Sequence, residues 1–318
     1  MSREVVTVAV PVLNGGALFT SLLEAISRQR IDAKVELLVA DSGSSDGSLE
    51  AAREHGARVI EIERGSFGHG RTRNALVAGA RGAHVALLTQ DAEPAGEDWL
   101  ERLLSGFAVS PDVALVYGPY LPRPDASPLV RHELGRWFGS LTAGAERLEP
   151  WERDIPAVEL MGRRGFFSDA NACISRAAWE QVRFRDIQYA EDRAIAIDML
   201  RAGYAKVYEP LAGVLHSHSY GSRERFRRAF DESRGLREVF DWREPVDPRY
   251  LAGQLRGELG SLRREGAGAA TLFAAARDQS ARLAGAVLGS RAARLPGWLQ
   301  SLCSLEGRSG APSVPARR

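Results

Sequence analysis

The 318-residue chain has room for one large α/β domain or two smaller ones, and its 44% apolar residues suffice for a substantial core. Its 42 Lys and Arg against 41 Asp and Glu leave a net charge of +1, which offers a nucleic-acid partner no basic footprint. Two cysteines, Cys173 and Cys303, exclude a disulfide scaffold and fit a reducing compartment. No apolar run reaches the roughly 18–20 residues that span a bilayer, so a cytoplasmic protein is expected, at most peripheral at the inner face of the plasma membrane.

Residues 5–13 (VVTVAVPVL) are rich in β-branched side chains and run straight into Asn14-Gly15-Gly16 with no small-residue cleavage site. They read as a buried first strand rather than a signal peptide. Strand and helix signals then alternate. Helices are expected at 18–28, 49–55, 72–80 and 99–107, and strands at 35–40, 58–62, 84–88 and 113–117. Continuous apolar strands between helices predict an α/β domain with a mostly parallel sheet covered on both faces. After the Pro-rich LPRPDASP loop the pattern is less regular to about residue 164. Strands follow at 170–174, 206–208 and 214–218, with a helix at 192–201. From residue 223 the chain reads as mostly helical and Arg-rich, and residues 308–318 as a disordered tail. Three segments result: a nucleotide-sugar-binding half over 1–120, an acceptor and catalytic half over 121–222, and a helical extension over 223–318.

Five constellations carry chemistry. In VADSGSSDGS, Asp41 ends a buried strand, where open α/β sheets bind ligands, and can accept from a base N–H. The same segment also fits a plain strand-turn-helix with Asp46 or Ser48 as N-cap. GSFGHGRTRN joins Gly65, Gly68 and Gly70 to Arg71 and Arg73, an anion turn suited to diphosphate or an ordinary glycine turn with solvated arginines. In LLTQDAEP, Asp91 lies just past an apolar strand, placed to hold a cation against phosphate oxygens or to shape the turn before Pro94. Glu191 and Asp192 open an apolar helical run, either as a general base for an acceptor hydroxyl or as acids favoured by the helix dipole. His216 and His218, two apart in VLHSHSY, would point the same way on a strand and could join Asp91 on a metal, or be surface or packed histidines.

In this order, VAVPVLNGG, VADSGSSDGS, FGHGRTRN, LTQDAEP, VYGPYLPRPDA, FFSDANACISRAAWEQVRF, AEDRA and HSHSY resemble glycosyltransferase family 2, and within it the bacterial rhamnosyltransferase branch. FRRAFDESRGL and LGSRAARLP resemble that branch too, so the likeness spans residues 5–305. It implies the GT-A fold with a helical C-terminal extension, and an inverting transfer of a sugar from a nucleoside diphosphate to a hydroxyl. L-rhamnose from dTDP-rhamnose is the first expectation, with a UDP-sugar as alternative. The donor would lie against Pro11, Asn14, Asp41, Ser42, Ser44, Gly70, Arg73, Asn74 and Gln90. Asp192 would be the base with Glu191 its neighbour. Asp91, His216 and, in reserve, His218 would hold Mg²⁺ or Mn²⁺. Thr89 stands where the family's DxD motif has its first Asp.

This branch usually carries Arg-Gln where this chain has Pro119-Tyr120, and Gln with a later Trp-Ala where it has Arg193 and Ile195-Ala196. These positions are expected to face the sugar or acceptor. The QxxRW signature of processive synthases is absent, which favours addition of a single sugar. The acceptor is expected to be a glycan, a lipid-linked sugar or a small molecule. The Arg-rich tail would meet anionic lipid, pack on the catalytic domain or form a homodimer. A metal-dependent nucleotide-sugar hydrolase or pyrophosphorylase and a non-catalytic nucleotide-sugar binder are the rival classes.

Overall fold

The computed structural model describes residues 4–144, 147–150 and 155–305. The expected disordered tail lies outside them. The chain divides into two compact units. The first comprises residues 1–125, 134–186 and 191–217, and the second 126–133, 187–190 and 218–318.

In chain order the first unit begins β1 (Val5–Val12), α1 (Gly16–Ser27), β2 (Lys34–Asp41), α2 (Ser48–Glu54), β3 (Arg58–Glu61), α3 (His69–Gly79) and β4 (His84–Leu88). It continues with β5 (Glu93–Pro94), α4 (Trp99–Ser105), β6 (Val113–Tyr117), β7 (Tyr120–Leu121), α5 (Pro128–Ala143), whose residues 128–133 belong to the second unit, and β8 (Leu148–Glu149). Then come α6 (Ala157–Met161), β9 (Asn171–Ser175), α7 (Arg176–Gln181), α8 (Glu191–Arg201), β10 (Ala205–Tyr208) and β11 (Val214–Leu215). The main sheet has eight strands in the order β3-β2-β1-β4-β9-β6-β10-β8, and β5-β11-β7 form a small second sheet. β3, β2, β1, β4, β6 and β10 run parallel, while β9 and β8 run against them.

The continuous apolar runs are explained by the two-residue period of a strand. Val6, Val8, Val10 and Val12 join Leu37 and Val39 in a core shared with α1 and α4. Their alternates Ala9, Leu38 and Ala40 face a second core with Leu76 and Val77 of α3 and Ile195 and Met199 of α8. Both faces are covered, so apolar side chains stand at consecutive positions through most of these strands.

Three details depart from the sequence reading. The irregular stretch after residue 121 contains α5, 16 residues long with Pro128 in its first position, where its missing N–H costs nothing. Val130, Leu134, Trp137, Phe138 and Leu141 keep helical spacing in it, and the Pro-rich run that leads into it is what hides its start. Neither Asp46 nor Ser48 caps α2: the N-cap is Gly47 at φ 90°, a left-handed conformation that favours glycine. The last expected strand, 214–218, pairs only over Val214–Leu215.

The second unit is helical, with α9 (Ser222–Phe240), α10 (Pro248–Arg264), α11 (Ala269–Gly289) and α12 (Gly297–Cys303). Asp247 caps α10 through the Arg249 N–H, and Pro248 opens that helix. Phe230, Ala292 and Cys303 form one small core and Leu129, Leu262 and Ala275 another. Among the described residues, no helix is long and apolar enough to cross a membrane.

Candidate active site

The carboxyl ends of β1, β2, β4 and β6 open on one edge of the main sheet, and the antiparallel β9 brings its amino end to the same edge. Side chains staple the first two loops together. The Ser44 and Ser48 hydroxyls accept from the Asn14 and Gly15 N–H groups at 2.9 Å, and Asp46 accepts from Gly16 at 2.9 Å. Asn14, at φ 50°, returns its Oδ1 to the Ser45 N–H at 2.8 Å. Asp41 is buried, and its carboxylate accepts from the Gly43 and Ser44 N–H groups. Ser42 donates to the Val12 carbonyl, and Gln90 accepts from the Leu13 N–H at 2.8 Å. Pro11 lies within β1, paired with Ala40. These expected donor contacts therefore gather along adjoining loops at one sheet edge.

The glycine turn is tighter than expected. Gly68 is an extended N-cap and α3 starts at His69, so Gly70 lies in its first turn. A Cβ on Gly70 would stand 1.9 Å from the Arg185 carbonyl oxygen, so only glycine permits this close approach. The charges in this segment are engaged rather than presented. Arg71 pairs with Asp186 at 3.0 Å. Arg73, 3% exposed, pairs with Asp169, 8% exposed, at 2.7 Å, and donates to the Leu88 carbonyl at 2.9 Å. Asn74 is also occupied: its Nδ2 donates to the Phe184 carbonyl, and its Oδ1 accepts from the Trp179 indole and the Phe184 N–H. Its amide locks the segment after α7 rather than facing the sheet edge.

Asp192 and Glu191 open α8, where the helix dipole favours acids. The Arg193 N–H donates to Asp192 at 2.7 Å. Burial, followed by the Asp169 carboxylate, holds both acids well above the ordinary carboxylate range. His69, 4.0 Å from Glu191, and Arg193 beside Asp192 oppose that shift. The Ser168 hydroxyl hydrogen-bonds Asp192, and the Tyr120 hydroxyl donates to Ser168. Burial pushes the Tyr120 phenol up, so it stays a donor throughout the working pH range. Tyr120 thus connects through Ser168 to Asp192, while its ring meets His216 edge-on at 4.8 Å between centroids.

His216 Nδ1 lies 3.5 Å from Asp91 Oδ1. One potential ligand atom from each of Asp91, His216 and His218 lies within 4.8 Å of the others, so the two imidazoles converge with the carboxylate although the strand ends before them. Arg123 braces this corner, donating to the Asp91 carbonyl at 2.8 Å and pairing with Glu93 at 3.4 Å. Buried Asn171 ties the framework together. It donates to the carbonyls of Pro119 and Ala212 and accepts from the Trp99 indole at 2.9 Å. An aspartate with two imidazoles is a donor set that fits Mn²⁺ and softer divalent ions, with room for Mg²⁺ if phosphate oxygens complete it.

Sequence reasoning missed Ser168 and Asp169, although they sit immediately before a buried strand in FFSDANAC. It also missed His69 and Arg123. Tyr120 was visible only as a departure from the family pattern.

Edge loops, paired acids at a helix start and an Asp-His cluster on a mixed α/β sheet are features that a nucleotide-sugar transferase of GT-A type would use. Residues 7–181 match the family model "Glycosyl transferase family 2". The chain is 34% identical over 230 residues to the O-antigen chain rhamnosyltransferase RfbN of Salmonella typhimurium, covering 71% of this chain and 70% of that protein. It is 33% identical over 229 residues to WbaN of Salmonella anatum, also an O-antigen chain rhamnosyltransferase, with the same coverage. The fold is similar to that of a mannosyltransferase from Pyrobaculum calidifontis solved with GDP-Man and Mn²⁺, with TM-score 0.54, 21% identity, and coverage of 92% of this chain and 74% of that one. The chain belongs to glycosyl transferase family 2, and it is a glycosyltransferase.

Proposed function

We propose that this enzyme transfers L-rhamnose from dTDP-rhamnose to a hydroxyl of a glycan or lipid-linked acceptor, with inversion at the anomeric carbon. The observation that carries this reading is the likeness, over 71% of the chain, to two O-antigen chain rhamnosyltransferases. Asp41 and the stapled loops around Asn14, Ser42, Ser44 and Gln90 take the nucleotide. Asp91, His216 and His218 hold the divalent cation. When bound, that ion neutralises charge building on the departing diphosphate. Arg73 acts from behind, fixing the end of β4 ahead of Asp91 and compensating Asp169.

Asp192 removes the acceptor proton as the hydroxyl oxygen attacks the anomeric carbon opposite the leaving diphosphate. Its raised pKa suits that task, because a base is most effective when its pKa approaches the working pH. The Ser168 hydroxyl, oriented by Tyr120, stabilises the ionised carboxylate and fixes its direction.

A thermal-shift and turnover panel of nucleotide sugars with Mn²⁺ and Mg²⁺ tests this. dTDP-rhamnose is expected to give the selective, cation-dependent shift, and Asp91→Ala to lose the cation-dependent part. A selective response to a UDP-sugar would replace the rhamnosyl assignment. Failure to bind or consume any nucleotide sugar would remove the catalytic reading.

Tyr120→Phe tests the positioning chain. Without the phenol, Ser168 is free to rotate away from Asp192, so the carboxylate loses a donor and its pKa rises further. The acid limb of the kcat–pH profile should move up by about half to one unit, since one unit corresponds to about 1.4 kcal/mol of differential interaction. An unmoved profile would show that Tyr120 does not act through Asp192.

A further inference from the structure

The two stretches FRRAFDESRGL and LGSRAARLP play no part in the site described above. They are more than 50 positions apart in the sequence, yet in the helical unit they meet. Between the end of α9, the loop after it and the turn joining α11 to α12 lies a cavity of about 340 Å³. Arg234, Arg237, Arg243, Arg291 and Arg294 line it, with Glu238 the one carboxylate in its wall among the described residues.

The core does not explain this set of arginines. Arg234 pairs with Asp231 at 3.2 Å, and Asp231 is itself fully buried, accepting from Ser304 and Leu305. Arg237 pairs with Asp241. Arg291 donates to the Val287 carbonyl at 3.0 Å and to the Ser290 hydroxyl at 2.9 Å, which fixes its direction without neutralising it. Arg243 and Arg294 are exposed and make no ion pair among the described residues. Five guanidinium groups therefore face three carboxylates, and the excess is concentrated around a concavity.

Guanidinium forks bind phosphate oxygens in bidentate fashion, and several around one concavity suit a group with many acceptor oxygens. We propose that this cavity is a second anion site, one that takes a phosphate or diphosphate group. Its occupant is either a soluble phosphate compound or the headgroup of an anionic lipid. The site is built from the helical unit alone and does not depend on which sugar the enzyme transfers.

The test uses the full chain with its donor site saturated by nucleoside diphosphate and Mn²⁺. Calorimetry with inorganic pyrophosphate and flotation with phosphatidylglycerol or phosphatidylcholine vesicles form the two arms. Arg243→Gln/Arg294→Gln is the variant, because both side chains are exposed and its fold and donor turnover should be unchanged. Pyrophosphate binding that the variant weakens by roughly tenfold or more supports the site with a soluble occupant. Flotation with phosphatidylglycerol alone, lost in the variant, supports it with a lipid headgroup. If the wild type binds neither probe, or the variant binds as tightly, there is no such site.

Discussion

Asp192→Asn is expected to lower kcat by about 10²–10⁴ with donor affinity little changed, the range that a positioned general base supplies. The substitution is nearly isosteric, and its amide oxygen can still accept from Ser168 and from the Arg193 N–H. What it loses is the capacity to take a proton. The same change should stabilise the protein at alkaline pH. Asp192 has a folded-state pKa above its unfolded value because burial and Asp169 oppose its charge. Between those two values the folded state binds the extra proton, so stability falls as pH rises through that window. Asparagine has no charge to bury. The variant should therefore melt a few degrees higher at pH 8, a gain on the order of 1 kcal/mol that vanishes below about pH 4. Turnover assays with paired melts at the two pH values check both halves. Normal turnover would remove Asp192 as the base, and a lower melting point at pH 8 would contradict the strained carboxylate.

The alternating elements of the first 117 residues were legible because β1, β2, β4 and β6 are buried on two faces along most of their length and the helices on one, so apolar periodicity and position agree. The region from 121 to 164 was not. Val130, Leu134, Trp137, Phe138 and Leu141 give α5 a helical stripe, but its Pro128 start continues a Pro-rich run and looks like loop chemistry from the sequence alone. The antiparallel direction of β9 was equally hidden, because a buried strand has the same composition whichever way it runs.

The site was legible wherever a residue's chemistry is local. Asp91 with His216 and His218, which the structure brings together, and the Glu191-Asp192 pair were singled out from strand and helix ends. Ser168 and Tyr120 could not be read that way. Their connection to Asp192 spans residues 120 to 192 and exists only once β7, the start of β9 and α8 are assembled. The glycine turn misled in the opposite sense. FGHGRTRN suggests exposed positive charge, whereas burial of Arg73 beside Asp169 makes that charge part of the framework.

That buried pair sets the second large effect. Arg73→Met fills similar volume but leaves the Asp169 carboxylate buried without its cation. Breaking a buried ion pair from one side typically costs about 3–5 kcal/mol, because the remaining charge keeps its desolvation penalty. A loss of that size should lower the melting temperature at pH 8 by roughly 10 °C. The destabilisation should shrink as pH falls, since a lone buried carboxylate has a raised folded-state pKa and takes up a proton more readily when folded. Asp169→Asn alone should cost less, and Arg73→Met/Asp169→Asn should recover much of the loss, leaving the Leu88 carbonyl without its Arg73 donor as the residue of the damage. Urea unfolding of the two single variants and the double variant at pH 5 and pH 8 closes that cycle. If Arg73→Met costs under about 1 kcal/mol at pH 8, Asp169 must be reaching water, and its charge could not be what raises Asp192 toward a useful pKa.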